Sequence, residues 1–119
     1  MSDSNVTIQE LKNIAQQFVQ DRDWMQFHNP KNLSMQIAAE AAELMEHFLW
    51  MDGSQSVQKI QDNKAEIQQE IADVFIGILM ICQENGIDLS EAFKLKMAIN
   101  TQRYPVEKAK GRSEKYSKL

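Results

Sequence analysis

Apolar residues recur at helical spacing along most of this chain. Ile8, Leu11, Ile14/Ala15 and Phe18/Val19 mark one face of a first helix. Thr7-Ile-Gln-Glu10 has the form of a capping box that would open it, so the pattern predicts a helix from Ile8 to Asp21 or Trp24. An aromatic-rich connection, Asp23 to Pro30, follows. Pro30 disfavours helical backbone at Asn29 and blocks continuation. A second helix, capped by Asn32 or Ser34, is expected to run to about Met51 and to end at Asp52-Gly53. A third begins somewhere in residues 55–62 and reaches Asn85, with Gly86 placed for a left-handed C-terminal cap. Asp88-Leu-Ser-Glu91 is a second capping box, opening a fourth helix that stops before Pro105. No internal repeat or low-complexity segment is present. The expected fold is all-α: a four-helix bundle-like subunit (residues 1–105) built on a central antiparallel hairpin of the second and third helices, with a basic C-terminal tail (106–119).

The third helix is the unusual one. From Ile71 to Cys82 it reads IADVFIGILMIC, with a single charged residue. That run is too short to cross a bilayer, which takes about 20 apolar residues. A helix apolar on all sides must be buried on all sides, and four helices of one chain would struggle to surround it. The segment is therefore expected at the centre of a homo-oligomer. Asp73 interrupts the run, and an ionised carboxylate in apolar surroundings must be paired, protonated or metal-bound. Its neighbours on the same face, Glu70 and Glu66, are acidic as well.

The second helix repeats the arrangement with Glu40 and Glu43, three residues apart and flanked by alanines that allow close helix approach. In an antiparallel hairpin Glu40, Glu43, Glu70 and Asp73 can converge, and four like charges at one place call for cations. Oxygen ligands without thiolates favour Mg²⁺, Mn²⁺ or Ca²⁺ over zinc. A di-iron site would want Glu-x-x-His on two helices; His47 lies four residues after Glu43, and no other His lies on these two helices.

Composition narrows the classes. With 119 residues, 43% hydrophobic and 25% charged, the chain has room for one domain. Four Gly and two Pro are few for a sandwich or barrel. The single cysteine, Cys82, excludes an internal disulfide and a multi-cysteine metal site. The opening MSDSNVTIQE lacks the basic-then-apolar form of a secretion signal, so a cytoplasmic location is expected. The net charge is −4 and unevenly spread. Residues 1–104 hold 8 basic and 15 acidic side chains, and residues 105–119 hold five basic and two acidic. So acidic a body argues against duplex DNA as a partner. The tail reads as a frayed terminus or as a segment folding over an anionic ligand or a neighbouring subunit.

On the fourth helix Lys96, Asn100 and Arg103 share one face and offer a point charge and a donor fork suited to phosphate. Carboxylates that hold Mg²⁺ together with a basic clamp suit a polyphosphate substrate. Trp24, Phe27 and Trp50 are then candidate walls for a stacked base.

These residues resemble a known family. Glu40-x-x-Glu43 followed by Glu70-x-x-Asp73 is similar to the metal-binding signature of the MazG-like all-α nucleoside triphosphate pyrophosphohydrolases. Arg22-Asp-Trp-Met-Gln-Phe-His-Asn-Pro-Lys-Asn-Leu33, Glu43-Leu-Met-Glu-His-Phe-Leu-Trp50 and Lys96-Met-Ala-Ile-Asn100-Thr-Gln-Arg103-Tyr-Pro105 resemble blocks of its dCTP pyrophosphatase branch. The resemblance implies that Glu40, Glu43, Glu70 and Asp73 bind Mg²⁺ (Mn²⁺ substituting); a carboxylate near the attacking water would take its proton, Glu43 first, with Glu46 or Glu66 as alternatives. It implies that Trp24, Gln26, His28 and Trp50 contact the nucleoside, and that Lys96, Asn100 and Arg103 face the triphosphate. It also implies a homo-oligomer, a dimer or a tetramer as a dimer of dimers, without nucleic acid or membrane partners. The implied reaction is hydrolysis of dCTP or a related dNTP to the monophosphate and pyrophosphate, in control of nucleotide pools. Lys31, Gly77 and Ala15 depart from the branch, where Arg, Tyr and His are usual; the last two bear on base and sugar recognition. The alternatives are a pyrophosphohydrolase of a modified nucleotide and a non-catalytic helical module that senses nucleotide or metal.

Overall fold

The computed structural model describes residues 1–119 and contains helices and turns without a strand. Helices α1 (Ile8–Asp21), α2 (Pro30–Glu46), α3 (Gly53–Asp62), α4 (Lys64–Glu84), α5 (Leu89–Arg103) and α6 (Val106–Ala109) follow in order, with 3₁₀ turns at Met25–Phe27 and Tyr116–Lys118. None is long and apolar enough to cross a membrane. The chain divides into two compact units, Met1–Ile87 and Asp88–Leu119.

In the first unit the caps set the helix limits. Thr7 Oγ1 accepts from the Glu10 N–H and Glu10 Oε2 from the Thr7 N–H, closing the capping box of α1. The cap of α2 is Asn29, not Asn32 or Ser34. Proline forces extended backbone on the residue before it, and Asn29 adopts φ −156°, ψ 166°. That is the conformation an N-cap needs, and Asn29 Oδ1 accepts from the Asn32 N–H at 2.8 Å. Pro30 then starts the helix, since its missing N–H would lack a partner there anyway. The expected third helix is two helices. Asp52 and Gln55 form an additional capping box that opens α3, and Asn63 (φ −124°, ψ 34°) separates α3 from α4. Gly86 ends α4 at φ +66°, and the Ile87 N–H donates to the Cys82 carbonyl across it at 2.9 Å. Lys12, buried on α1, donates through Nζ to the Ile87 carbonyl at 2.7 Å.

Helices α2 and α4 form the expected antiparallel hairpin: His28, just before α2, meets Glu84 at the end of α4, Ile37 faces Gly77, and His47 approaches Glu70. Helix α1 packs on the C-terminal half of α4 through Gln9, Gln16 and Gln83. Val19, Leu33 and Met80 form the shared core. Burial of α4 on all sides is not achieved within one chain: Ile71 is 51% and Ile76 43% exposed. Asp73, expected to be buried among apolar neighbours, is also exposed, because it borders a solvent-accessible cavity rather than packed side chains.

Gly77 is where the hairpin is tightest. A Cβ there would stand 2.8 Å from Ile37 Cγ1, and a β-branched side chain on a helix has little rotamer freedom with which to yield. Alanine would gain about 1 kcal/mol of helix propensity against about 1–3 kcal/mol of overpacking. Urea unfolding of Gly77→Ala is expected to show a net loss of up to about 2 kcal/mol, and Ile37→Ala in the same chain should cost less than it does alone.

Described by itself, the second unit opens with Asp88 Oδ1 accepting from the Glu91 N–H at 2.8 Å. Phe93, Leu95, Met97 and Ile99 all remain exposed on α5. The basic tail is not simply frayed. The Tyr116 ring packs edge-on against Tyr104, and the Arg103 guanidinium carbon lies 4.5 Å from the Tyr116 ring centroid.

Candidate functional site

The hairpin brings three of the four expected carboxylates together. Oxygens of Glu40, Glu43 and Glu70 lie within 4.8 Å of one another. Residues three apart on a helix are neighbours, so Glu40 and Glu43 project from α2 toward Glu70 on α4. Glu40 and Glu70 are half-buried, whereas Glu43 is exposed. One oxygen of each half-buried group, Glu40 Oε2 and Glu70 Oε2, is sealed from solvent without a hydrogen-bond partner. Such orphaned acceptors are costly, and a cation would satisfy both.

The electrostatics agree. Burial, then the charges of Glu43 and Asp73, push the Glu40 carboxyl above its ordinary range. Burial, hydrogen bonding to Glu43 and the charges of Glu43 and Asp73 do the same to Glu70, opposed by His47. His47 Nε2 is 3.9 Å from Glu70 Oε1. Asp73 is outside the three-residue cluster but acts on two of its members. Without a cation the cluster resists ionisation, and with one it offers hard oxygen ligands of the kind Mg²⁺ and Mn²⁺ take.

Asp73 also lines a cavity of about 630 Å³ between α1, α2 and α4. Its walls are mainly apolar, including Phe18, Leu33, Phe75 and Met80. Trp24 and His28 lie on it, as does Gln36. A largely apolar pocket of this size with a few convergent polar groups suits a small organic ligand. Gly77 and Ala15 line it too, so two of the three departures from the resembled branch face this space.

The remaining expected residues are distributed differently. Gln26 is not among the cavity residues; its amide donates to the backbone carbonyl and side chain of Asp23. Trp50 is 99% exposed, stands outside the cavity and holds φ +64°, an uncommon conformation for a bulky residue. Lys96, Asn100 and Arg103 belong to α5 in the second unit, where the Asn100 amide contacts Met97 sulfur and Arg103 stacks on Tyr116. Sequence reasoning missed Gln36 and Glu84. Gln36 had a signal, since it lies three residues after Leu33 and four before Glu40 on the hairpin's facing side. Glu84 had none, because its contact with His28 joins residues 56 apart.

Comparison with known proteins gives a consistent result. Residues 35–119 match the model of the MazG-like family. Human dCTP pyrophosphatase 1 is 36% identical over 115 residues, spanning 95% of this chain and 68% of the human protein. The bovine dCTP pyrophosphatase 1 is 31% identical over 118 residues, spanning 98% of this chain and 70% of its own. A solved pyrophosphatase structure from Archaeoglobus fulgidus superposes with a TM-score of 0.81 at 36% identity, covering 88% of this chain and 98% of that one.

Proposed function

We propose, from the premise that this chain belongs to the MazG-like family and is a nucleoside triphosphate pyrophosphohydrolase, that it hydrolyses dCTP or a related dNTP to the monophosphate and pyrophosphate with Mg²⁺ as cofactor. The observation that carries the metal assignment is the pair of sealed, unpartnered oxygens on Glu40 and Glu70 beside Glu43. Glu40, Glu43 and Glu70 would hold the ion, with Asp73 adding its charge from the cavity side. A divalent cation bound there supplies positive charge to phosphate oxygens and lowers the pKa of a coordinated water.

The chain's own residues divide the rest of the work. Trp24, His28 and the apolar walls take the nucleoside and exclude water from it. Glu43 is the general base that receives the proton of the attacking water, since it is the exposed member of the cluster and can return that proton to solvent. Water cleaves the α–β phosphoanhydride bond, and pyrophosphate departs. Lys96, Asn100 and Arg103 are assigned to the triphosphate by their shared helical face and donor chemistry. The half-exposed apolar residues of α4 and those of α5 support a homo-oligomer, dimer or tetramer. Gln26 and Trp50, outside the cavity of one chain, are assigned to substrate only within that assembly. Control of the cytoplasmic nucleotide pool is the role that suits this reaction.

A panel of the eight common NTPs and dNTPs, assayed for pyrophosphate and monophosphate with Mg²⁺ and with chelator, tests the proposal. Chelator-sensitive pyrophosphate release, fastest with dCTP or another dNTP, is expected. Release of single phosphate, or turnover that persists in chelator, would refute it.

A further inference from the structure

His28 lines the cavity from a stiff piece of backbone. It follows the 3₁₀ turn Met25–Phe27 in extended conformation and precedes the Asn29 cap and Pro30 of α2, so its ring has little freedom to wander. The ring is engaged on one side only. Nδ1 lies 2.7 Å from Glu84 Oε2, and both side chains are 13% exposed. Glu84 ends α4, where the helix dipole disfavours a negative charge, and the contact with His28 compensates for that placement. An ionised carboxylate can only accept, so Nδ1 must be the donor. The remaining ring nitrogen, Nε2, is then a free acceptor as long as the ring is neutral. The other polar side chains on the cavity are Asp73, which accepts, Gln36, which does both, and Trp24, whose indole N–H donates.

We propose that Glu84 is a positioning residue. By taking the Nδ1–H of His28 it fixes the tautomer in which Nε2 accepts, so that the cavity selects nucleosides bearing an N–H or O–H donor at that point. This rests on reading the cavity as the nucleoside pocket. The donor is an exocyclic amine of the base or a sugar hydroxyl, and both present the same chemistry to Nε2.

Two measurements on the full chain decide it. In ¹⁵N NMR of the histidine rings at about pH 8.5, where imidazoles are ordinarily neutral, with His47→Gln used to assign the two signals, His28 is expected as the Nδ1–H tautomer. Glu84→Ala should shift the ring toward mixed tautomers. An Nε2–H or doubly protonated ring in the wild type would overturn the proposal. In steady-state kinetics Glu84→Ala should raise the KM for dCTP about tenfold while kcat changes less than about twofold. Glu84→Gln, whose amide oxygen still accepts from Nδ1, should restore the KM. If the donor is the base amine, the dCTP/dUTP preference collapses in Glu84→Ala. If it is the sugar hydroxyl, the preference for dCTP over its 3′-deoxy analogue collapses instead. A purely structural Glu84 would leave both ratios unchanged, which refutes the assignment. Should the wild type hydrolyse no nucleotide, the enzymatic reading falls, and the tautomer measurement still decides the role of Glu84.

Discussion

Asp73→Asn is expected to lower Mg²⁺-dependent pyrophosphate release about a thousandfold while leaving the helical fold intact. The two halves of this expectation have different sources. Asp73 is exposed, so an isosteric amide leaves no buried group without a partner. Its charge nevertheless acts on both Glu40 and Glu70, and its side chain borders the cavity. It thus links the carboxylate cluster to the space assigned to the nucleoside. Steady-state kinetics together with circular dichroism would check both halves. Near-wild-type kcat in a folded Asp73→Asn protein would remove Asp73 from the metal site and leave a three-carboxylate centre.

Glu70→Gln should separate stability from activity in the opposite direction. Burial and the neighbouring acids raise the pKa of Glu70, and of Glu40, above the ordinary carboxylate value of 4.5. Between that value and the raised one, the folded chain holds protons that the unfolded chain has released. Protonation therefore stabilises the metal-free fold fully below about pH 4.5, and this contribution is lost as pH rises through the raised folded pKa. Melting in chelator should show stability falling across this window in the wild type, with a shallower fall in Glu70→Gln. At pH 7.5 the metal-free Glu70→Gln protein should melt above the wild type, although it has lost turnover. Mg²⁺ at a hundredfold excess over its Kd should raise the wild-type midpoint by about 10 °C and the variant by much less. Equal responses to Mg²⁺ in the two proteins would show that the cluster is not the cation site.

Much of this arrangement was legible in the chain. Thr7 and Asp88 declare their caps because the side-chain chemistry is local, Gly86 because glycine takes positive φ without cost, and Glu40, Glu43 and Glu70 declare their grouping through helical spacing. What escaped depended on context. Pro30 read as a barrier because it cannot continue a helix, yet the same ring geometry starts one. The division at Asn63 carries no Gly or Pro to announce it. Asp73 looked buried because its sequence neighbours are apolar, whereas burial depends on what lies across the helix face. The contact of His28 with Glu84 is invisible to any local window.

The amides that tie α1 to α4 carry a kinetic meaning as well. Gln9 and Gln83 are 74 residues apart, whereas α2 and α4 are joined by a short helix-containing connection. Closing the longer loop costs more entropy before any contact rewards it, and contacts of low sequence separation form earlier. The hairpin that gathers the carboxylates can therefore assemble while α1 is still undocked. The cavity, for which α1 supplies one wall, is completed last. Under the proposed function, the carboxylates assigned to the phosphate chain would be gathered before the pocket assigned to the nucleoside is complete.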